Sequence, residues 1–150
     1  MAALLMFGCP EAGKVCDPDF LADKAQVCAD REGLGFGQEF GSGTFIGQKP
    51  QQTLLIRNGG ADDLKIESVA VAGDPAFTFS YVPEVFPATI SANKTFFIRA
   101  EFAPTAAKRY EAKVTVTSNA ENSPVKEFVV SGCGVPADGG TSPCYRDGGI

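Results

Sequence analysis

The chain has 150 residues, a formal net charge of −5 and neither histidine nor tryptophan. That length suits one domain with a single two-layer core and short flanks. Its basic residues are scattered singly apart from Lys108-Arg109, so the footprint that neutralises nucleic-acid phosphates is missing. Without histidine, no Ser-His-Asp or Cys-His arrangement and no His-containing zinc site can be assembled.

At the N-terminus, Ala2-Ala-Leu-Leu-Met-Phe-Gly8 is a short apolar run that places a small residue directly before Cys9. This resembles the lipobox of bacterial lipoproteins, whose cysteine becomes the acylated first residue of the mature chain. The resemblance implies an exported protein held at a membrane through lipid on Cys9. The run is short and has no Lys or Arg in front of it, so an apolar terminus that packs or frays is the alternative. No other stretch approaches the ~18 uninterrupted apolar residues of a membrane span.

Residues 10–32 form an acidic lead-in. Asp19 is expected to cap a short helical turn through Lys24, because Phe20, Leu21 and Ala25 fall near helical spacing. Asp17, Asp19 and Asp23 invite a calcium reading, but Pro18 interrupts them and the loop glycine and distal glutamate are missing. No metal or cofactor is expected. The glycines at 33, 35, 37, 41, 43 and 47 alternate with Leu34, Phe36, Phe40 and Phe45. A phosphate loop needs a helix after it, whereas Pro50 and a strand follow here, so the segment reads as a bulged edge strand.

From there the grammar is strand and turn. Residues 53–57 read as a strand, Asn58-Gly-Gly-Ala-Asp-Asp63 as a tight turn with positive φ at Asn58 and Gly59, and Leu64 as the start of the next strand. In that strand Leu64 and Ile66 differ in parity from Val69 and Val71, and a bulge near Glu67-Ser68 would put all four on one side. Phe77, Phe79 and Tyr81 alternate with polar residues, and Pro83 and Pro87 mark a longer connection. The cleanest alternation follows, with Phe96, Ile98, Ala100 and Phe102 inward and Phe97, Arg99 and Glu101 outward. Ala112, Val114 and Val116 face inward on the next strand, and Phe128, Val130 and Gly132 on the last. Seven to eight short strands at this spacing describe an all-β, immunoglobulin-like sandwich.

The five cysteines lie in the flanks, with no CxxC pair among them. Setting Cys9 aside leaves Cys16, Cys28, Cys133 and Cys144, an even set that reads as disulfides tying the flanks in an oxidising compartment. Two local loops, Cys16–Cys28 and Cys133–Cys144, are favoured; a cross-link between the two flanks is the alternative. The resulting organisation is a signal-like segment (1–9), the lead-in (10–32), the sandwich (33–134) and a stapled tail (135–150).

Six pieces carry a family resemblance: Leu55-Ile-Arg-Asn-Gly-Gly, Leu64-Lys-Ile, Val71-Ala-Gly-Asp-Pro-Ala-Phe, Phe102-Ala-Pro-Thr-Ala-Ala, Thr117-Ser-Asn and Val130-Ser-Gly-Cys-Gly. In this order they resemble the choice-of-anchor D domains, which are similar to the ASPM/SPD-2/Hydin and major-sperm-protein immunoglobulin-like domains. The resemblance covers residues 34–134 and implies a seven-stranded scaffold or adhesion unit without catalytic residues. Gly59-Gly60 and Cys133 depart from that pattern.

The expectation is a non-catalytic binding or structural module of the bacterial periplasm or outer surface. An accessory subunit of a larger assembly is the alternative. An enzyme is not expected, because Asp62-Asp63 on a turn point apart into solvent and no nucleophile motif is present. Phe97, Tyr81 and Phe86 are the candidate contacts for a protein partner of unknown identity.

Overall fold

The computed structural model describes residues 16–36, 43–137 and 144. Ten strands follow in chain order: β1 (Val27–Ala29), β2 (Gly33–Phe36), β3 (Thr44–Phe45), β4 (Gln51–Asn58), β5 (Leu64–Gly73), β6 (Phe77–Val82), β7 (Ala88–Ile90), β8 (Thr95–Phe102), β9 (Arg109–Ser118) and β10 (Val125–Val135). One sheet has the order β1-β4-β8-β6. The other runs β2-β10-β9-β5-β7, with β3 also on β10. From β4 to β9 each strand crosses to the opposite sheet, so every connection helps to clamp the layers together.

The inward faces follow the expected alternation. Leu54, Ile56, Phe96, Ile98, Ala100 and Phe102 from one sheet meet Leu64, Ile66, Ala112, Val114, Val116, Phe128 and Val130 from the other, all buried. Phe102 is the centre of an aromatic cluster, with ring centroids 5.4 Å from Phe36, 4.8 Å from Phe77 and 5.3 Å from Tyr110. Gly132 lies against it: a Cβ there would sit 2.6 Å from the Phe102 ring. The sheets therefore pack to native density at this level only with glycine on β10.

The described parts of the glycine-rich segment, β2 and β3, lie at an edge, as expected. β2 and β3 both run parallel to β10, with Val130 opposite Leu34 and Gly134 opposite Thr44. The bulge in β5 falls between Ile66 and Ser68, and Val69 and Val71 pair with Val116 and Val114 on the inward side. Burial does not reach the end of the strand. β7 pairs only with residues 64–66, so Val71 overhangs the sheet edge and stays 42% exposed.

Two local expectations are corrected. Asp19 caps no helix. Asp17 makes the turn instead, its Oδ1 accepting from Asp19 N at 2.9 Å and its carbonyl from Phe20 N at 3.0 Å. The chain then extends because residues 22–26 find backbone partners elsewhere, including Ala22 N to Gly59 O and Ala61 N to Ala22 O. Nor do Asn58 and Gly59 adopt positive φ; among non-glycine residues described, Asn93 alone does (φ 65). The glycine that the turn needs is Gly60, where any Cβ would overlap the Lys24 carbonyl.

Asn58 is the last residue of β4 and is fully buried. Its Oδ1 accepts from Gln26 N (3.2 Å) and Gly60 N (2.9 Å), and its Nδ2 donates to Asp62 O (2.8 Å) and Ile90 O (2.9 Å). Its backbone is paired with the β7–β8 turn through Lys94 O and Asn93 N. This one residue thus ties together the lead-in, the β4–β5 turn and the β7–β8 connection. A buried amide with all four valences met costs nothing in orphaned groups and fixes geometry.

The flanks are tied locally. Cys16–Cys28 and Cys133–Cys144 are disulfide-bonded, at sequence separations of 12 and 11. Loops of that size lower the entropy of the unfolded chain by about 3 kcal/mol each. Residues 22–30, read above as a lead-in, supply β1 and also reach the β9–β10 turn: Val27 N donates to Asn122 Oδ1 and Asn122 Nδ2 to Val27 O, both at 2.9 Å.

Candidate interaction surface

The side chains named as contacts divide into two kinds. Phe97 points outward on β8 and is 37% exposed. Tyr81 and Phe86 are half-buried and pack on the core instead. Their rings meet edge-on at 5.6 Å, and Phe86 meets the buried Phe96 at 6.0 Å. They form a satellite of the core beneath the connection after β6. The lipidation candidate, Cys9, lies outside the described residues.

Register builds a surface around Phe97 that the sequence did not display. Leu55 on β4 and Val82 on β6 are both its cross-strand partners, so the three side chains form a row across the outward face of the β1-β4-β8-β6 sheet. Val82 is 55% exposed, and Val85, three residues further on, 74%. Beyond Leu55 the row runs into a cleft of about 350 Å³ lined by Cys16, Pro18, Ala29, Leu55, Arg57 and Thr95. Arg57 holds the walls: Nη1 donates to Asn93 Oδ1 and Nη2 to Cys16 O, both at 3.0 Å. These bonds anchor the disulfide loop to the β7–β8 turn and fix the guanidinium in place. The surface is thus an apolar row ending at a cleft whose lining includes the charged side chains of Arg57 and Asp30.

At the opposite end of β8, Tyr110 organises the β8–β9 connection. Its hydroxyl accepts from Thr105 N (3.2 Å) and Ala106 N (2.9 Å), and Lys108 Nζ lies 4.8 Å from the ring centroid. Burial raises the phenol pKa, but the hydrogen bonds from Thr105 and Ala106 and the Lys108 charge outweigh it and hold the value below the ordinary 10.0. Burial pushes Tyr81 the other way. An ultraviolet titration of the native protein is expected to show one tyrosine ionising below and one above the free phenol. For Tyr110 the folded pKa is depressed. Its contribution to stability is thus fully present above the unfolded value and is lost as pH falls through the folded one.

No described group of three or more His, Cys, Asp or Glu side chains is placed to hold a metal. Asp62 pairs with Lys24 at 3.8 Å in solvent, and the Asp63 carbonyl accepts from Asn119 Nδ2. No described helix is long and apolar enough to cross a membrane.

This order of strands, with β1 at the edge of one sheet and β2 and β3 running parallel to the last strand in the other, defines an immunoglobulin-like domain. The profile of the HYDIN/CFA65/VesB-like Ig-like domains matches residues 37–133, and the chain belongs to that family. Among solved structures it is similar to the ASH/PapD-like domain 7 of human CEP192, with TM-score 0.56 and 17% identity over 76% of this chain and 88% of that one. A protein of unknown function from Porphyromonas gingivalis W83 follows at TM-score 0.53 and 16% identity, over 73% of this chain and 47% of that one. The periplasmic chaperone SfaE is similar at TM-score 0.50 and 15% identity, over 74% of this chain and 57% of that one. At these identities the likeness is one of fold. No curated protein matches the chain by sequence.

Proposed function

We propose that the chain is a non-catalytic binding module working in the bacterial envelope, anchored through lipid on Cys9, with the Leu55–Phe97–Val82 row as its contact for a protein partner. The observation that carries the reading is the pair of disulfides. Both flanks of the sandwich are oxidised, and such bonds persist in exported proteins rather than in a reducing cytoplasm. The exposed apolar row beside the disulfide loop supports a docking role over a purely solvated domain. Intact mass of the native protein from its producing cell, with and without reduction and alkylation, tests it. The expected result is a chain beginning at Cys9, heavier by diacylglycerol and acyl groups, with four cysteines oxidised. An unmodified chain carrying free thiols overturns it.

A second reading, a structural subunit of a larger assembly, draws on the same row, since a permanent neighbour would cover it. Cross-linking in the native cell separates the two: a stoichiometric neighbour captured through Phe97→Cys supports the subunit.

A further inference from the structure

The edges of this sandwich are treated unequally. β1 is three residues long, and beyond its end the Asp30 side chain takes the next position on β4, accepting from Leu55 N at 2.9 Å. β7 also has three residues, and β2 has four with Lys126 bonded to Glu32 beside it. β6 is different. It is six residues long, Phe-Thr-Phe-Ser-Tyr-Val, pairs on one side only among the described residues, and contains no charge, proline or bulge. Beside it in the other sheet, residues 68–73 of β5, Ser-Val-Ala-Val-Ala-Gly, are likewise uncharged and lack an outer neighbour among the described residues. Natural edges carry devices against pairing; β6 has none, and β5 has only the bulge before Ser68 and the short cover of β7 at its start.

We propose that β6 is a self-pairing edge through which two copies of the chain form a two-fold dimer, joining their four-stranded sheets into one of eight. The hydrogen-bond phase of β6 sets the register. Ala103 N donates to Ala76 O while Phe102 N turns away to Pro50 O, so the ladder to β8 uses Thr78, Ser80 and Val82. The N–H and C=O groups of Phe79 and Tyr81 therefore point off the sheet. An antiparallel second copy satisfies all of them when Phe79 bonds Tyr81 of that copy and the reverse, with the two-fold passing beside Ser80. On the inner side this sets half-buried Phe79 beside the half-buried Tyr81 of the second copy, a favourable aromatic cross-strand pair.

The self-complementary register selects a second copy as the occupant, and charge permits it. The chain is acidic overall, yet the contact strip carries no charge. β6 ends at Val82 and carries no acid along its length, so no acid meets an acid within the paired strands. The two Arg99 side chains, each opposite its own Ser80, end up three strand spacings or about 14 Å apart, beyond the screening length of about 8 Å. Shape agrees. The two-fold turns the end of β5 that β7 covers toward the uncovered end, residues 68–73, of the second copy, where Val71 overhangs.

Sedimentation equilibrium on the full chain tests this. The native protein is expected to be a concentration-dependent dimer. Ser80→Lys and Ser80→Glu, both at an exposed position, each set like charges about 4.5 Å apart at Cα across the axis and are expected to weaken self-association at least roughly ten-fold. Mixing the two variants restores a dimer, because lysine then faces glutamate. Val125→Lys, on β10, leaves the dimer unchanged, and circular dichroism confirms that all variants fold. A native protein monomeric at millimolar concentration overturns the proposal, as does a dimer indifferent to residue 80. Neither result bears on lipid or disulfides, so the envelope reading stands or falls separately.

Discussion

Replacing Asn58 by aspartate is expected to destabilise the protein by about 3–5 kcal/mol at neutral pH, a large share of a total stability of roughly 5–15 kcal/mol. The side chain is fully buried, and the Asp62 and Ile90 carbonyls receive its two N–H bonds. A carboxylate there presents oxygen to oxygen and has no cation to neutralise it. The effect depends on pH with a definite sign. Burial raises the folded pKa of such a carboxyl above the unfolded value of about 3.9, so the penalty is absent below that value and grows as pH rises above it. Urea denaturation of Asn58→Asp at acid and neutral pH measures this. A loss that is equal at both, matching Asn58→Leu, would mean that shape and not charge decides the site.

Phe102→Ala is expected to cost about 3–5 kcal/mol, the range for a large aromatic removed from a packed core. The residue touches Phe36, Phe77 and Tyr110, and its ring lies where the Cβ of any larger residue at 132 would go. Gly132→Ala is accordingly expected to lose about 1–3 kcal/mol through overpacking. The two positions share one space, so their effects do not add. Combining Gly132→Ala with Phe102→Leu should be less harmful than the sum of the singles, and a double-mutant cycle by thermal denaturation reads the coupling directly. Strict additivity would show that the sheets shift apart instead of sharing that volume.

These sites mark how far the sequence can be read. The inward faces of β8, β9 and β10 were legible because a strand buried on one side alternates, and Phe96, Ile98, Ala100 and Phe102 obey that rule without exception. The bulge in β5 was legible for the same reason, as a parity break. Asn58 was read as a turn residue because Asn-Gly favours turns; that a residue 32 positions away supplies its partner is invisible to local propensity. Asp19 failed likewise, since its neighbours found strand partners instead. The candidate surface was only partly legible. Phe97 stood out by its parity, but Leu55 and Val82 join it through register, which the sequence does not state. Tyr81 shares the alternating inward face of Phe77 and Phe79, so its position was legible in the spacing; Phe86 was drawn in by Tyr81 and Phe96, a packing that no spacing announces.

The bonds around Asn58 also bear on how the molecule ages. Asn-Gly is the dipeptide in which the following amide nitrogen most readily attacks the side-chain carbonyl, closing a succinimide that opens to aspartate or isoaspartate. In the native fold that nitrogen, Gly59 N, is bonded to Gln26 O, and the Asn58 carbonyl is held from two sides. The reaction is open only to the unfolded chain. Each excursion out of the native state therefore risks installing the buried carboxylate that destabilises the fold, and part of the unfolding becomes irreversible at the rate of that chemistry. How often this one amide is let out of its cage sets the pace of that route of decay.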